Sequence, residues 1–208
     1  MARSKSSKKW LKEHFEDAYV KKSQQQGYRS RACYKLLEIH KRDKLIVPGM
    51  TVIDLGAAPG GWAQVAAQLV GESGRVLASD ILDMDPIEGV TFIRGDFTDE
   101  DVYRQIVETL DGQKADLVIS DMAPNISGMK DIDQPRVLYL AELALELANS
   151  VLCNNGSLLV KVFQGAGTQA FQKELSGCFN SVKTRKPRSS RARSSELYFL
   201  GRGFMEEN

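Results

Sequence analysis

Apolar positions along the chain alternate between two spacings. Short unbroken apolar runs at Thr51–Leu55, 74–80, Val90–Arg94, 116–121 and 156–163 read as strands covered on both faces. Helical spacing follows the first of them, in Ala63, Val65, Ala66, Leu69 and Val70. It recurs from Asp99, a candidate cap, to about 110, from about 134 to 152 with Pro135 near the first turn, and from about 168 to 175. Two further strands are expected near 182–185 and 197–200. Ahead of the first strand, an amphipathic helix is expected from Trp10 to about Gln26, with Trp10, Phe15, Ala18 and Tyr19 as its apolar members and Gly27 as its stop. A second helix over 30–39 places Ala32, Leu36 and Ile39 on one face. Residues 1–9 are Ser/Lys-rich with little to bury, and read as a flexible basic tail.

Strands alternating with helices predict an α/β fold: a mostly parallel sheet with helices on both faces. The last two strands are joined too tightly for a helical crossover, so they should pair antiparallel. At 208 residues this is a single domain, with 10–44 as a basic helical extension and 45–208 as the core.

Composition narrows the class. With 42% hydrophobic and 26% charged residues the chain is that of an ordinary soluble protein. No run approaches the roughly 20 apolar residues of a membrane helix, and the polar interruption at 12–14 rules out a signal-peptide core. Three scattered cysteines, Cys33, Cys153 and Cys178, without C-x-x-C spacing point to reduced thiols in a cytoplasmic protein, neither disulfide nor metal site. A net charge of +1 conceals +8 over residues 1–44, −11 over 45–182 and +4 over 183–208. Charge runs are commonly just solvated surface; two dense basic ends around an acidic middle raise the odds of a polyanion partner. The candidate RNA contacts are Lys8, Lys9, Arg29, Arg31, Arg185, Lys186, Arg188, Arg191 and Arg193.

The chemistry concentrates after the strands. Ligands of an open α/β sheet bind outside the carboxyl ends of its strands, and four such ends carry Asp54, Asp80, Asp96 and Asp121. Any one of them is most simply a helix cap or turn residue. Four around one crevice repel a pyrophosphate and suit a ligand with a positive charge, ribose hydroxyls and a base. The turn from Gly56 through Pro59 to Gly60, Gly61 and Trp62 agrees, because it lacks the G-x-G-x-x-G register of dinucleotide sites. The chain also lacks a P-loop and a G-x-S-x-G elbow. S-adenosylmethionine meets these constraints. Asp80, 26 residues after Asp54, is placed for the ribose hydroxyls, and Asp96 for the adenine amine, with Phe97 or a neighbour against the ring. Lys161 lies inside an apolar strand, where a lysine is costly unless it snorkels or meets a partner.

Four segments together, 54–62, 120–125, 160–165 and 185–194, resemble the FtsJ family of large-subunit ribosomal RNA 2′-O-ribose methyltransferases, and the likeness runs from about Trp10 to Leu200. The resemblance implies a seven-stranded class I methyltransferase sheet and a catalytic tetrad on Lys35, Asp121, Lys161 and Glu196. It implies methyl-donor contacts at Gly60, Trp62, Asp80, Asp96 and Asp121. It also implies a uridine acceptor in large-subunit RNA within the assembled 50S subunit; separately, a monomer without metal is expected. Cys33-Tyr34 departs from the family's usual aromatic pair without touching a tetrad position. Transfer of the sulfonium methyl to a 2′-oxygen needs Lys161 either as a base, well below an ordinary lysine pKa of about 10.4, or as a charge that stabilises the developing alkoxide. Four rivals remain, and the first, a dehydrogenase, would need the dinucleotide glycine register that is missing. A base methyltransferase would carry an Asn/Asp-Pro-Pro-aromatic motif at the fourth strand end. A methyltransferase of transfer RNA or another RNA would share the chemistry. A non-catalytic ribosome assembly factor would have little need of the Lys161 set.

Overall fold

The computed structural model describes residues 17–191 and 194–206. Helices α1 (Ala18–Gln25) and α2 (Cys33–Asp43) precede β1 (Thr51–Leu55). There follow α3 (Gly61–Val70), β2 (Arg75–Asp80), β3 (Val90–Arg94), α4 (Glu100–Thr109), β4 (Ala115–Ser120), α5 (Lys130–Val151), β5 (Leu152–Phe163), α6 (Thr168–Cys178), β6 (Phe179–Arg185) and β7 (Glu196–Phe204). The seven strands form one sheet in the order β3-β2-β1-β4-β5-β7-β6. All pairings from β3 to β5 are parallel, and β7 runs antiparallel to both of its neighbours. The expected architecture holds, including the antiparallel strand.

The period of two in each strand sorts side chains onto two cores. Ile53, Val118, Leu158 and Phe199 face α4, α5 and α6; Val52, Leu117, Ile119, Tyr198 and Leu200 face α2 and α3. Leu36 and Ile39 of α2 are buried in the second core, so the segment read as an extension is part of the domain's interior. The strand order turns about β1, whose neighbours β2 and β4 carry the chain to opposite halves of the sheet. The crevice at that turn, outside the carboxyl ends, is the site.

Several boundaries differ from the expectations. A helix cannot run through Asp17, whose backbone is extended; its side chain instead caps α1 by accepting from the N–H of Tyr19 at 2.9 Å. Trp10 and Phe15 lie outside the described residues, as does the basic tail. Asp99 occupies the cap position of α4 without a side-chain cap bond. Helix α5 starts at Lys130, so Pro135 falls inside it and not in its first turn. The extra turn is anchored by Asp133, whose carboxylate collects donors from the preceding loop.

Candidate active site

Strand β1 delivers Asp54 and Leu55 to the crevice, and the chain then reverses at Gly56 into α3. The N–H groups of Gly56 and Ala57 donate to Ser79 O at 2.8 and 3.1 Å, which pins the turn to β2. Two glycines are there of necessity. Gly56 has φ +72° and a Cβ on it would stand 2.2 Å from Met122 Cγ; Gly60 has φ +102° and its Cβ would stand 2.7 Å from Ile87 Cδ1. Asp80 Oδ2 accepts from Ala58 N–H and Oδ1 from Leu82 N–H, each at 2.8 Å, so this carboxylate also shapes the turn. Asp96 Oδ1 accepts from the N–H and hydroxyl of Thr98 at 3.0 and 2.7 Å on an exposed turn, while Phe97 packs into the core.

A cavity of about 70 Å³ opens beside this turn, lined by Asp54, Gly56, Pro59, Gly61, Trp62 and Asp121 among others. Trp62 also ties helices together: its Nε1–H donates to Ala32 O at 2.8 Å and its ring lies 5.7 Å from that of Tyr198. Asp54 is 1% exposed and its Oδ2 has no hydrogen-bond partner. Burial first, then the Asp121 and Asp80 carboxylates, push its carboxyl well above the usual range. An unpaired buried carboxyl oxygen in a cavity is a seat for a donor group of a ligand, and a cation bound beside it would favour release of the carboxyl proton.

The same group makes a prediction about stability. Between the ordinary value of 3.8 and the raised folded value, the folded state holds a proton that the unfolded state has lost. Stability therefore falls as pH rises through that window, by up to about 1.4 kcal/mol per pH unit. Asp54→Asn is expected to flatten that fall and to melt higher than the wild type at alkaline pH, while weakening donor binding. Thermal melts across pH check it; parallel curves for the two proteins would show that Asp54 ionises freely.

A second constellation stands across Asp121. Lys161 on β5 is paired with Tyr198 on β7, and Phe163 with Glu196, so the period of two brings Lys161, Tyr198 and Glu196 to one face. Lys35 comes from α2 and Asp121 from the residue after β4. Lys161 Nζ donates to Asp121 O at 2.5 Å and stands 3.0 Å from Asp121 Oδ1. Lys35 Nζ is 3.4 Å from both Asp121 oxygens and 3.0 Å from Glu196 Oε1. Ser190 hydroxyl fixes Glu196 Oε1 at 2.6 Å, and Tyr198 hydroxyl donates to Asp121 Oδ1 at 2.6 Å. Burial raises the Asp121 carboxyl, but Lys161, Lys35 and the Tyr198 hydroxyl outweigh it and hold the group below its ordinary value. The structure thus brings all four tetrad candidates together. Sequence reasoning missed Tyr198 and Ser190. Tyr198 was findable, since it lies two residues from Glu196 and so on the same face of β7.

Lys35, Lys161 and Glu196 line a larger cavity of about 820 Å³, edged by Arg31, Lys130 and Arg191. Asp121 lines the small cavity, so this carboxylate stands between that recess and an open, cation-rimmed basin. That division, a carboxylate-ringed recess meeting a lysine-bearing basin at one shared carboxylate, is the arrangement of a group-transfer site.

Comparison with known proteins agrees. The signature of the FtsJ-like methyltransferases matches residues 28–204. The chain belongs to that family. Among FtsJ-like proteins, it is 62% identical to the ribosomal RNA large subunit methyltransferase E of Chromohalobacter salexigens, over 97% of this chain and 96% of the relative. It is 58% identical to the protein of that name from Pseudomonas aeruginosa, over the full length of both. A crystal structure from Plasmodium falciparum, described as a ribosomal RNA methyltransferase, superposes with a TM-score of 0.78 at 29% identity, covering 86% of this chain and 100% of that one. The molecule is a methyltransferase.

The basic candidates divide into several groups. Arg185 requires correction: it is 9% exposed, and its guanidinium is forked onto Asp43 at 2.5 and 2.7 Å, so it fastens β6 to α2 and presents no charge to RNA. Arg29 is engaged as well, donating to Asp85 O at 2.6 Å and Pro86 O at 2.5 Å, which stitches the α1–α2 connection to the loop after β2. Arg31 bonds Asp17 and Ser189 O but still edges the basin. Lys186 Nζ donates to Ser194 O and Glu196 O, each at 2.6 Å. Arg188 has an exposed side chain; its N–H and that of Ser189 are held by Glu38 at 2.6 and 3.0 Å. Arg191, 3.8 Å from Asp17, stands at the basin edge. Lys8, Lys9 and Arg193 lie outside the described residues. A charge run in sequence does not reveal which of its members are already paired.

Proposed function

We propose that this FtsJ-like methyltransferase transfers the methyl group of S-adenosylmethionine to the 2′-hydroxyl of a uridine ribose in large-subunit ribosomal RNA, with the assembled 50S subunit as its substrate and the cytoplasm as its place of action. The observation that carries the reading is the shared carboxylate: Asp121 borders the donor recess on one side and anchors both lysines of the basin on the other. The names of the full-length relatives, each a large-subunit ribosomal RNA methyltransferase, support the choice of acceptor.

The residues fit the donor. The partnerless Asp54 oxygen offers a seat for a donor group of the ligand, Gly56 and Gly61 bring main chain to the recess wall, Asp80 ends β2, and Asp96 follows β3. S-adenosylmethionine, when bound, supplies an electrophilic methyl on a sulfonium. On the basin side, Lys161 Nζ spends two of its bonding positions on Asp121, at the main-chain oxygen and at the carboxylate. Its remaining position faces the acceptor hydroxyl; only as a neutral amine, having first released its own third proton to solvent, does Nζ keep a lone pair there to take up the hydroxyl proton as the oxygen becomes nucleophilic. Lys35, fixed between Asp121 and Glu196, keeps the second cation within reach of developing alkoxide charge. Placement of the hydroxyl by these groups supplies a further share of the rate.

Among the described residues no cluster of His, Cys, Asp or Glu could hold a metal, and no helix is long and apolar enough to cross a membrane. We read the enzyme as a monomer without metal. Incubation with labelled donor and, separately, large subunits, free ribosomal RNA and transfer RNA tests the reading, followed by nuclease digestion and nucleoside mass spectrometry. The expected product is 2′-O-methyluridine from large subunits. Label in a base, in transfer RNA alone or in no RNA would overturn it.

A further inference from the structure

The loop from β4 to α5 overhangs the basin and contributes Ala123, Ile126 and Gly128 to its lining. Its tip is apolar and faces solvent: Ile126 is 53% exposed and Met129 60%. Exposed apolar side chains on a mobile loop would mean little, but this loop is braced. Asp133, 4% exposed in the first turns of α5, accepts from Ser127 N–H and hydroxyl at 2.8 Å each and from Gly128 N–H at 2.9 Å. Ser127 hydroxyl in turn accepts from Met129 N–H at 3.1 Å. A carboxylate with three donors holds the loop's main chain in place, with Ile126 in the basin lining and Met129 exposed on the same loop just beside it.

The basin of about 820 Å³ lies in the range that encloses a ligand of several hundred daltons, enough for a complete nucleotide. Lys161 is only 6% exposed, so a 2′-hydroxyl reaches it only if its nucleotide leaves the neighbouring stack and enters. That step forfeits base stacking, and the cations at the basin edge can grip phosphate but cannot replace it. An apolar surface can. We propose that Ile126 and Met129 form an apolar rest for the base of the acceptor nucleotide, held in register by Asp133. The inference rests on the RNA methylation reading above and names how that site receives its substrate.

The test is a coupling cycle. Wild type and the double variant Ile126→Ser/Met129→Ser are assayed on large subunits reconstituted around RNA that carries, at the acceptor position, either the intact nucleotide or an abasic ribonucleotide with its 2′-hydroxyl. Half-burying two apolar side chains corresponds to about tenfold in kcat/KM, so the wild type should lose about that factor when the base is removed. The variant should lose little, because its rest is already gone. Each ratio is taken within one protein, so a partly misfolded variant does not distort it. Equal loss in both proteins overturns the apolar rest alone. A wild-type enzyme that labels no RNA of any kind overturns the functional reading and this inference with it.

Discussion

Lys161→Ala is expected to slow methyl transfer by roughly two to four orders of magnitude, the range for losing a positioned proton acceptor, while donor affinity stays close to that of the wild type. The asymmetry follows from the partition: Lys161 lines the basin and not the donor recess. Single-turnover labelling at saturating RNA measures the first quantity, and calorimetric titration with S-adenosylhomocysteine the second. A matching loss of donor affinity would make Lys161 a structural strut of Asp121 instead. In the wild type, a base at this position also requires the single-turnover rate to climb with pH and then level. A flat profile would mean that Lys161 acts as a permanent charge.

Asp121→Ala should fail in every assay at once. It removes the partner of two nearly buried ammonium groups, with side chains 6% and 12% exposed, and the acceptor of the Tyr198 hydroxyl. Breaking a buried pair from one side typically costs about 3–5 kcal/mol of stability, because the orphaned charge stays behind. Denaturant unfolding should show a drop of that order, with donor binding weakened and transfer abolished. The milder Asp121→Asn keeps an acceptor for Tyr198 and isolates the charge. Because the folded carboxyl titrates below its ordinary 3.8, its charge stabilises the fold above that pH. The gap between wild type and Asp121→Asn should therefore be full near neutrality and close as pH falls below it. A gap independent of pH would contradict the assignment of that stabilisation to the lysines.

The centre of the sheet was legible because β1, β2 and β4 are short apolar runs buried on both faces, and Val52 and Ile53 go to opposite cores without ambiguity. The antiparallel β7 followed from the brevity of its connection. Helix starts were harder. Nothing local marks Asp17 as a break or shows that Asp133 would draw Ser127 and Gly128 back to lengthen α5, because those bonds depend on where the loop lands. In the site, the resemblance to the FtsJ family supplied the tetrad candidates, and the geometry unites them. The fates of the basic residues depended on partners far away in the chain: Arg185 meets Asp43 across 142 positions, and Ser189 meets Glu38 across 151. No window of sequence contains such a pair.

Strand β7 is the last of the described strands along the chain, yet it occupies an interior place, between β5 and β6. During synthesis β6 has no strand to pair with until its successor emerges, and it cannot simply dock on β5 first without blocking the slot. The donor recess is lined by residues between 30 and 121, but Trp62 in its wall rests on Tyr198 of β7. Glu196 and Tyr198 arrive only with the strand that closes the sheet. The recess wall and the catalytic constellation are therefore completed by one and the same strand, and displacing β7 would undo both.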